Sequence, residues 1–425
     1  MIKYDNSKIF QYIDIFIFSL LLVFLFLIII FSSKANIQSD SIDYYAILQR
    51  ITRDTGNPIV RNLHFVEQRS PGYPLIATIP YYLASSTTAR FIKTENITQP
   101  HTEEIKSPRE QGSEQMLLPA KPILSKDIFF KNFYIERENS WFEWKIISAL
   151  LFTSYFLFFV GILFIAKTLL LENKSASVFS LIPLTIITSR IFMHNIANTP
   201  VYATLAAFGI SSIFCYFFIK SFVHKSPLSQ FFTGLFLGIL MLTRLEVVII
   251  FGVLFLLLIF AKEKGYLKNL ILGSCISLFI LLIYNFFQFG TIFHFGILQG
   301  DINKLSFNIG YIFANIFSPK SGIIFWSPLV SLGIIGLFLG NKKHLKILGT
   351  CSISLIALLL IRVPIMYNCI GSEPINIGGL LITCPQNMDQ ALMLVRSDIN
   401  RYIIILVPFA VLGLQNLLIL FKKGI

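Results

Sequence analysis

The chain has 425 residues, of which 55% are hydrophobic and only 13% are charged. Soluble domains carry about 25% charged residues, so this composition excludes an ordinary soluble protein. Apolar runs of about 17–22 residues recur along the chain, and each could cross roughly 30 Å of hydrocarbon as a helix. The composition therefore predicts an all-α polytopic membrane protein.

The net charge of +13 could suggest a nucleic-acid partner, but its placement indicates otherwise. Most of the excess lies in short hydrophilic turns that fall on alternate sides of successive apolar runs, the pattern of the positive-inside rule. These residues are Lys3, Lys8, Lys167, Lys174, Lys220, Lys225, Lys262, Lys264, Lys268, Lys342, Lys343, Lys346, Lys422 and Lys423. We therefore expect membrane lipids as partners, with contact to anionic cytoplasmic lipid, and no nucleic acid.

About ten spans are expected in a single membrane domain, residues 1–425. They are 15–32, 146–166, 175–192, 200–221, 228–243, 245–261, 269–288, 322–340, 345–365 and 402–420. The first run is too long for a signal peptide and is interpreted as a retained anchor. This arrangement predicts a multi-pass protein of the cell inner (plasma) membrane with both termini in the cytoplasm.

The extracytoplasmic loop 33–145 is predicted to carry the active site, in front of a helical bundle formed by residues 146–425. Residues 40–51 are predicted to form a short amphipathic helix, and residues 73–85 a helix that lies in the membrane interface. Two later outer loops, 289–321 and 366–401, should face the same side. Cys369 and Cys384 both fall in the last of these loops, where a disulfide is possible in an oxidising compartment.

Asp40 and Asp43 are the candidate catalytic residues. Three residues apart, they share one face of a short helix just after the first span. Paired carboxylates at the membrane boundary can act as a general base or hold a divalent cation such as Mg²⁺ or Mn²⁺. The alternative is a pair of ordinary solvated acids in a loop.

Three cations are candidates for binding a phosphate. Arg69 precedes a rigid turn made by Pro71, Gly72, Tyr73 and Pro74, and its planar guanidinium suits a phosphate, although a plain surface arginine is the alternative. Lys320 lies in the turn before the span at 322–340. Arg401 opens the last span, where a cation opposes the helix dipole and so calls for an anionic partner.

Further polar residues fall at the predicted outer ends of spans. Arg244 and Glu246 lie between two apolar runs, where charges are costly unless they are paired or functional, and a mutual ion pair is the structural alternative. Asn285 ends the span at 269–288, and a hydrogen bond that closes the helix is its simpler explanation. Tyr44 and Tyr73 lie beside the candidate carboxylates and the proline turn and are expected to support the site.

Several motifs are absent from the sequence: a P-loop, a GxGxxG at a strand–helix junction, HExxH and a Cys/His cluster. Soluble nucleotide-sugar chemistry therefore has no evident site in this chain. The sequence also shows no inverted repeat and no pair of broken helices of the kind expected in a transporter.

The order of these motifs resembles the GT-C superfamily of integral-membrane glycosyltransferases over nearly the whole chain. The order is Asp-Ser-x-x-Tyr from Asp40, Pro-Gly-Tyr-Pro from Pro71, Leu-Thr-Arg-x-Glu around Arg244, Tyr-Asn-x-x-x-Phe-Gly around Asn285, Phe-Ser-Pro-x-x-Gly before the span at 322–340, and Arg401-Tyr402. Within the superfamily, the chain is similar to the bacterial branch of protein mannosyltransferases, lipid A aminoarabinose transferases and rhizobial lipopolysaccharide-core transferases.

The resemblance implies transfer of a sugar, with inversion, from a polyprenyl-phosphate donor to an envelope lipid, glycan or protein acceptor on the extracytoplasmic side. It implies that Asp40 is the base or metal ligand, with Asp43 as a helper, and that Arg69 takes the phosphate-facing role. Two alternatives stay open: a flippase or transporter of a lipid-linked sugar, and a non-catalytic membrane scaffold.

Overall fold

The computed structural model describes most of the bundle and parts of the connecting loops. The described residues are 6–32, 35–36, 40–52, 70–88, 121–124, 134–137, 144–173, 178–197, 199–292, 303–305, 309–319, 322–364, 375–377, 380–382 and 402–422. The helices are α1 (Asn6–Ser32), α2 (Asp40–Thr52), α3 (Gly72–Thr88), α4 (Trp144–Glu172), α5 (Leu181–Thr188), α6 (Arg190–Ala197), α7 (Ala203–His224), α8 (Pro227–Thr243), α9 (Val248–Phe260), α10 (Lys264–Phe289), α11 (Ile309–Phe317), α12 (Ile323–Trp326), α13 (Pro328–Phe338), α14 (Lys343–Ile361) and α15 (Val407–Lys422).

The predicted helical membrane architecture is confirmed at the level of class. Six helical segments are long and apolar enough to cross a membrane: Gln11–Phe31, Lys145–Glu172, Ala203–His224, Lys264–Phe289, Lys343–Ile361 and Ile404–Lys422. Three shorter apolar segments accompany them, at Pro227–Thr243, Leu245–Phe260 and Pro328–Phe338. The count of about ten spans stays a prediction.

Short strands lie between the helices, and the sequence reasoning did not predict them. They are β1 (Ala35–Asn36), β2 (Lys121–Leu124), β3 (Tyr134–Arg137), β4 (Asn303–Leu305), β5 (Arg362–Pro364), β6 (Ile375–Ile377) and β7 (Leu380–Ile382). The first three form one sheet in the order β1-β3-β2, while β4 pairs with β5 and β6 with β7, both antiparallel. At two to four residues each, they are too short to show an alternating pattern.

Glycines set how closely the helices of the bundle approach one another. At Gly413 of α15, an added Cβ would overlap the carbonyl oxygen of Gly333 on α13. Gly209 of α7 lies in the same way against Leu157 of α4, and Gly273 of α10 against Phe231 of α8. Small residues at such contacts let helix backbones pack directly, which matters in a bilayer because lipid tails are as apolar as leucine.

One end of the bundle, called here the Glu172 end, is closed by charged side chains. Glu172 is the last residue of α4, and its carboxylate accepts from Lys342 Nζ at 2.5 Å and pairs with His344 Nε2 at 2.9 Å. Lys343 Nζ lies 3.8 Å from Glu263, which precedes α10. These contacts join α4, α10 and the α13–α14 turn.

The first helix is attached near the same end by a buried carboxylate. Asp14 of α1 accepts hydrogen bonds from Phe179 N at 2.6 Å, Ser180 N at 3.1 Å and Ser180 Oγ at 2.5 Å. These groups precede the first residue of α5, where backbone N–H groups lack partners within their own helix. A carboxylate at a helix N-terminus also interacts favourably with the dipole.

Two of the predicted spans are interrupted in the structure, although no pair of broken helices was visible in the sequence. The predicted span 175–192 is divided at Ser189 into α5 and α6, and the span 322–340 is divided at Ser327 into α12 and α13. The two interruptions meet, because Ser189 Oγ and Ser327 Oγ are 2.7 Å apart and both residues are buried. Hydropathy could not show the first break, since a single serine leaves an apolar run intact. The second break had a local signal, because Pro328 directly after Ser327 cannot continue the hydrogen bonding of a helix.

We expect Gly413→Ala to destabilise the protein by about 1–3 kcal/mol, because a methyl group there must push α13 and α15 apart. Thermal unfolding of the purified protein in detergent checks this. Gly252→Ala on α9 is the matched control, since nothing lies within 4 Å of a Cβ at that position. Equal melting temperatures for the two variants would contradict the argument.

Candidate active site

The first element of the candidate site is α2, which covers the amphipathic helix predicted at 40–51. It begins at Asp40, whose side chain lies outside the described residues. One turn later, Asp43 is buried, with 6% of its surface exposed. The residues that follow, through Gln49, are buried as well. The helix is therefore enclosed by the protein along most of its length, and Asp43 is not the ordinary solvated acid of the alternative interpretation.

The second element is α3, which covers the helix predicted at 73–85. Tyr73 in its first turn is fully buried, and its hydroxyl donates to the Leu150 carbonyl at 2.8 Å and lies 2.8 Å from Ser154 Oγ, both on α4. The rings of Tyr73 and Tyr44 meet edge to face, with centroids 5.4 Å apart. Burial raises the pKa of the Tyr73 phenol far above its usual value, so the phenol stays protonated.

Gly72 joins this pair of helices to the bundle. A Cβ at Gly72 would lie 2.5 Å from the Leu242 carbonyl carbon and 2.6 Å from the Thr243 nitrogen. Only glycine permits this approach of backbone to backbone. Pro71 is buried beside it, and its carbonyl accepts from Leu75 N at 2.9 Å, which starts the helix. The proline turn therefore lies directly against the Leu-Thr-Arg-x-Glu turn.

Arg244 follows α8 at this contact. It is 5% exposed, and its guanidinium carbon lies 5.0 Å from the ring centroid of Tyr402. An arginine over a tyrosine ring gains from the quadrupole of the ring. Glu246 lies two residues on, half-buried, in the 3₁₀ turn Leu245–Val247. The start of the last span thus meets the same cluster.

Asn285 lies near the end of α10. Its Nδ2 donates to the Ile292 carbonyl at 3.2 Å, after Gly290 has ended the helix in the left-handed region at φ 71°. This is the helix-closing hydrogen bond that the sequence offered as the simpler explanation. Asn285 therefore supports the end of α10.

Arg50 is a site residue that sequence reasoning missed. It lies half-buried in the last turn of α2 and interacts electrostatically with Tyr284, beside Asn285. The sequence did contain a signal for Arg50. It follows Asp43 by seven residues, and since a helix returns to the same face after two turns, this spacing places Arg50 on the face of the candidate carboxylate. Arg50 adds a second guanidinium at this end of the bundle. We call this end the Arg244 end and define it by Tyr44, Gly72, Arg244, Tyr284 and Tyr402.

Several predicted residues lie outside the described residues. They are Arg69, Lys320, Arg401 and the cysteine pair Cys369 and Cys384. The neighbours of two of them are described: Ser70 adjoins the Gly72 contact, and Tyr402 packs on Arg244. The neighbours of Lys320 belong to the turn between α11 and α12. Among the described cysteines, Cys215, Cys275 and Cys351 are free thiols.

No protein-family model, curated protein or solved structure matches this chain. Its function must therefore be argued from the chemistry at the Arg244 end. That end brings a buried carboxylate, two guanidinium groups and several tyrosines together across five segments that are far apart in sequence. Such a set can accept a proton from a hydroxyl and bind an anion.

We expect Tyr73→Phe to lower the stability by about 1–3 kcal/mol, because the change leaves two buried partners on α4 without the phenol hydroxyl. Thermal unfolding in detergent measures this. Tyr82→Phe is the control on the same helix, since Tyr82 is 54% exposed. In a double-mutant cycle, Tyr73→Phe and Ser154→Ala should be clearly non-additive. Strict additivity would mean that the two hydroxyls do not interact.

Proposed function

We propose that the chain is a glycosyltransferase of the GT-C type, moving a sugar with inversion from a polyprenyl-phosphate donor to an envelope lipid, glycan or protein acceptor. The observation that carries the proposal is the convergence of motifs at the Arg244 end. Tyr44 meets Tyr73, Gly72 lies against Leu242 and Thr243, and Arg244 stacks on Tyr402. Four of the six motifs that carry the resemblance thus contact one another.

The carboxylates of α2 would activate the acceptor. A general base must come within hydrogen-bond reach of the hydroxyl proton that it removes. Asp40 takes this role, and Asp43, one helical turn later and buried, holds the second negative charge. Attack by the activated hydroxyl on the face opposite the phosphate inverts the anomeric carbon.

The leaving group is a lipid phosphate, which needs charge stabilisation more than it needs a proton. Guanidinium groups provide this through paired N–H donors that match phosphate oxygens. Arg244 and Arg50 lie at the Arg244 end. Arg69, Lys320 and Arg401 are the further cations proposed for the donor phosphate.

A divalent cation fits the donor set of α2. Two carboxylates one turn apart supply the oxygen ligands that Mg²⁺ and Mn²⁺ prefer, although no group of three metal-ligating side chains occurs among the described residues. Asp40 and Asp43 would hold the ion, which when bound would neutralise charge on the donor phosphate.

We expect Asp40→Asn and Asp43→Asn to reduce sugar transfer from a polyprenyl-phosphate donor in proteoliposomes, Asp40→Asn by roughly 10²- to 10⁴-fold if it is the base. Glu263→Gln at the Glu172 end is the matched control and should retain full activity. Full transfer by Asp40→Asn would reject the assigned base. Absence of transfer in the wild type with every donor and acceptor offered would favour the scaffold alternative.

The Arg244 end is proposed to face away from the cytoplasm, with both termini on the cytoplasmic side of the inner membrane. The polyprenyl tail must stay in the bilayer, so a site at the ends of the helices lets its phosphate reach the carboxylates. The lysine-rich turns at the Glu172 end, such as that of Lys342 and Lys343, agree with a cytoplasmic position for that end.

Cysteine labelling tests this orientation. In a background without the five native cysteines, a membrane-impermeant maleimide added to intact spheroplasts should label Thr291→Cys, just beyond α10 at the Arg244 end. It should label Glu263→Cys only after lysis, because Glu263 precedes α10 at the other end. Both residues are exposed in the structure. The reverse pattern would place the site in the cytoplasm.

A flippase for a lipid-linked sugar is the second candidate, and the paired breaks at Ser189 and Ser327 favour it. Interrupted helices that meet inside a bundle are a feature of transporters. Movement of a fluorescent lipid-linked sugar between leaflets of proteoliposomes, without transfer to any acceptor, would support this candidate over the transferase.

A further inference from the structure

The two helix breaks bring an arginine over a tryptophan. Arg190 is the first residue of α6, and its guanidinium carbon lies 4.9 Å from the ring centroid of Trp326, the last residue of α12. Beside this pair, Ser189 and Ser327 share their buried hydrogen bond. Arg190 itself is exposed. The contact therefore leaves a cation open on the side of the bundle.

Arg190 lies at about the middle depth of the bundle. α5 starts at the Asp14 contact and rises roughly 12 Å over its eight residues at about 1.5 Å each. α13 ends just before Lys342, at the Glu172 end, and its eleven residues span roughly 16 Å. Both measures place the junction near half of the roughly 30 Å hydrocarbon thickness, where an arginine is costly.

Ser189 is the cap of α6, where it receives a hydrogen bond from Phe192 N to its Oγ at 3.4 Å, and Ser327 is the cap of α13. The same two serines follow the C-terminal ends of α5 and α12, so positive and negative ends of helix dipoles meet at the serine pair and offset one another. Arg190 therefore supplies the net charge at this junction. Within the described part of the chain, no carboxylate forms a salt bridge with Arg190.

Exposed apolar side chains lie on the helices that flank the two breaks. Phe325 is 57% exposed, and Leu184 and Ile324 are also exposed. Leu184 is one and a half turns before Arg190, and the other two precede Trp326 on α12. An isolated cation within an apolar surface matches a molecule with an anionic group and a hydrocarbon body. An arginine at such depth also draws water and headgroups inward by thinning the bilayer locally.

We propose that Arg190 and Trp326 form a lateral binding site for the phosphate of a membrane lipid, below the level of the ordinary headgroups. The edge of the guanidinium donates hydrogen bonds to the phosphate oxygens, while the face of the guanidinium packs on the tryptophan ring. The exposed apolar side chains of α5 and α12 contact the acyl chains. This site is separate from the Arg244 end and does not depend on the proposed transferase activity.

Native mass spectrometry of the purified protein in detergent tests the proposal. The probes are phosphatidylglycerol and a diacylglycerol with the same acyl chains but no phosphate. Arg190→Gln should bind phosphatidylglycerol roughly tenfold more weakly than the wild type, the effect expected for the loss of charge-assisted hydrogen bonds. Binding of diacylglycerol should not change.

Lys145→Gln is the matched control, because Lys145 also lies over an aromatic ring, that of Tyr81, at 4.1 Å, but it is half-buried in the first turn of α4. It should bind phosphatidylglycerol as the wild type does. Arg190→Lys keeps the charge without the planar fork and should give intermediate binding, even if Arg190→Gln fails to fold. If Arg190→Gln binds phosphatidylglycerol with wild-type affinity, the proposed site is wrong. If Arg190→Gln cannot be purified, wild-type affinity of Arg190→Lys leads to the same conclusion. Displacement of the lipid by inorganic phosphate alone would overturn its assignment to a lipid.

Discussion

The candidate site depends on one backbone contact, that of Gly72 with Leu242 and Thr243. α2 and α3 belong to a long loop and need a point of attachment to the bundle. The glycine lets the proline turn lie against the end of α8, and the Tyr73 hydroxyl then joins the same turn to α4. With α3 held from two sides, the Tyr73 ring packs against Tyr44 of α2, while Gly72 lies against the residues just before Arg244. A side chain at residue 72 would push the proline turn away from the end of α8.

The rest of the bundle is held by packing that suits a bilayer. Lipid offers no hydrophobic gain when helices associate, so close contact and polar pairs must supply the stability. Gly333 and Gly413 allow the close contact between helices. Glu172 forms the polar pairs, with Lys342 and His344. The junction of Ser189 and Ser327 is different, since it interrupts two helices inside the bundle. The two broken helices thus meet at the place where Arg190 is exposed.

Many of the elements and several members of the candidate site could be predicted from the sequence. The composition indicated the membrane class, and the predicted bounds of α2 and α3 lie within three residues of the observed ends. Asp43, Gly72, Tyr73 and Arg244 were selected because acids, glycines and arginines are unusual beside apolar runs. Arg50 was missed because it looks like an ordinary surface residue until Tyr284 is placed beside it. The first break was missed because hydropathy averages over about a whole span and a single serine does not change it. The second was missed although Pro328 marks it, because the apolar run continues on both sides of the proline.

The sequence by itself determined that the chain belongs in a membrane, because a chain with 55% hydrophobic residues has too few polar residues to cover its apolar ones in water. It also determined which residues could not be ordinary, since charge beside hydrocarbon is costly wherever it lies in the fold. The tertiary structure decided which of these residues meet. Tyr44 and Tyr73 are distant in sequence, as are Arg244 and Tyr402, and no local preference encodes either contact. Such contacts arise only when helices pack, because packing depends on the shapes of whole helix faces and on the few glycines that let backbones touch.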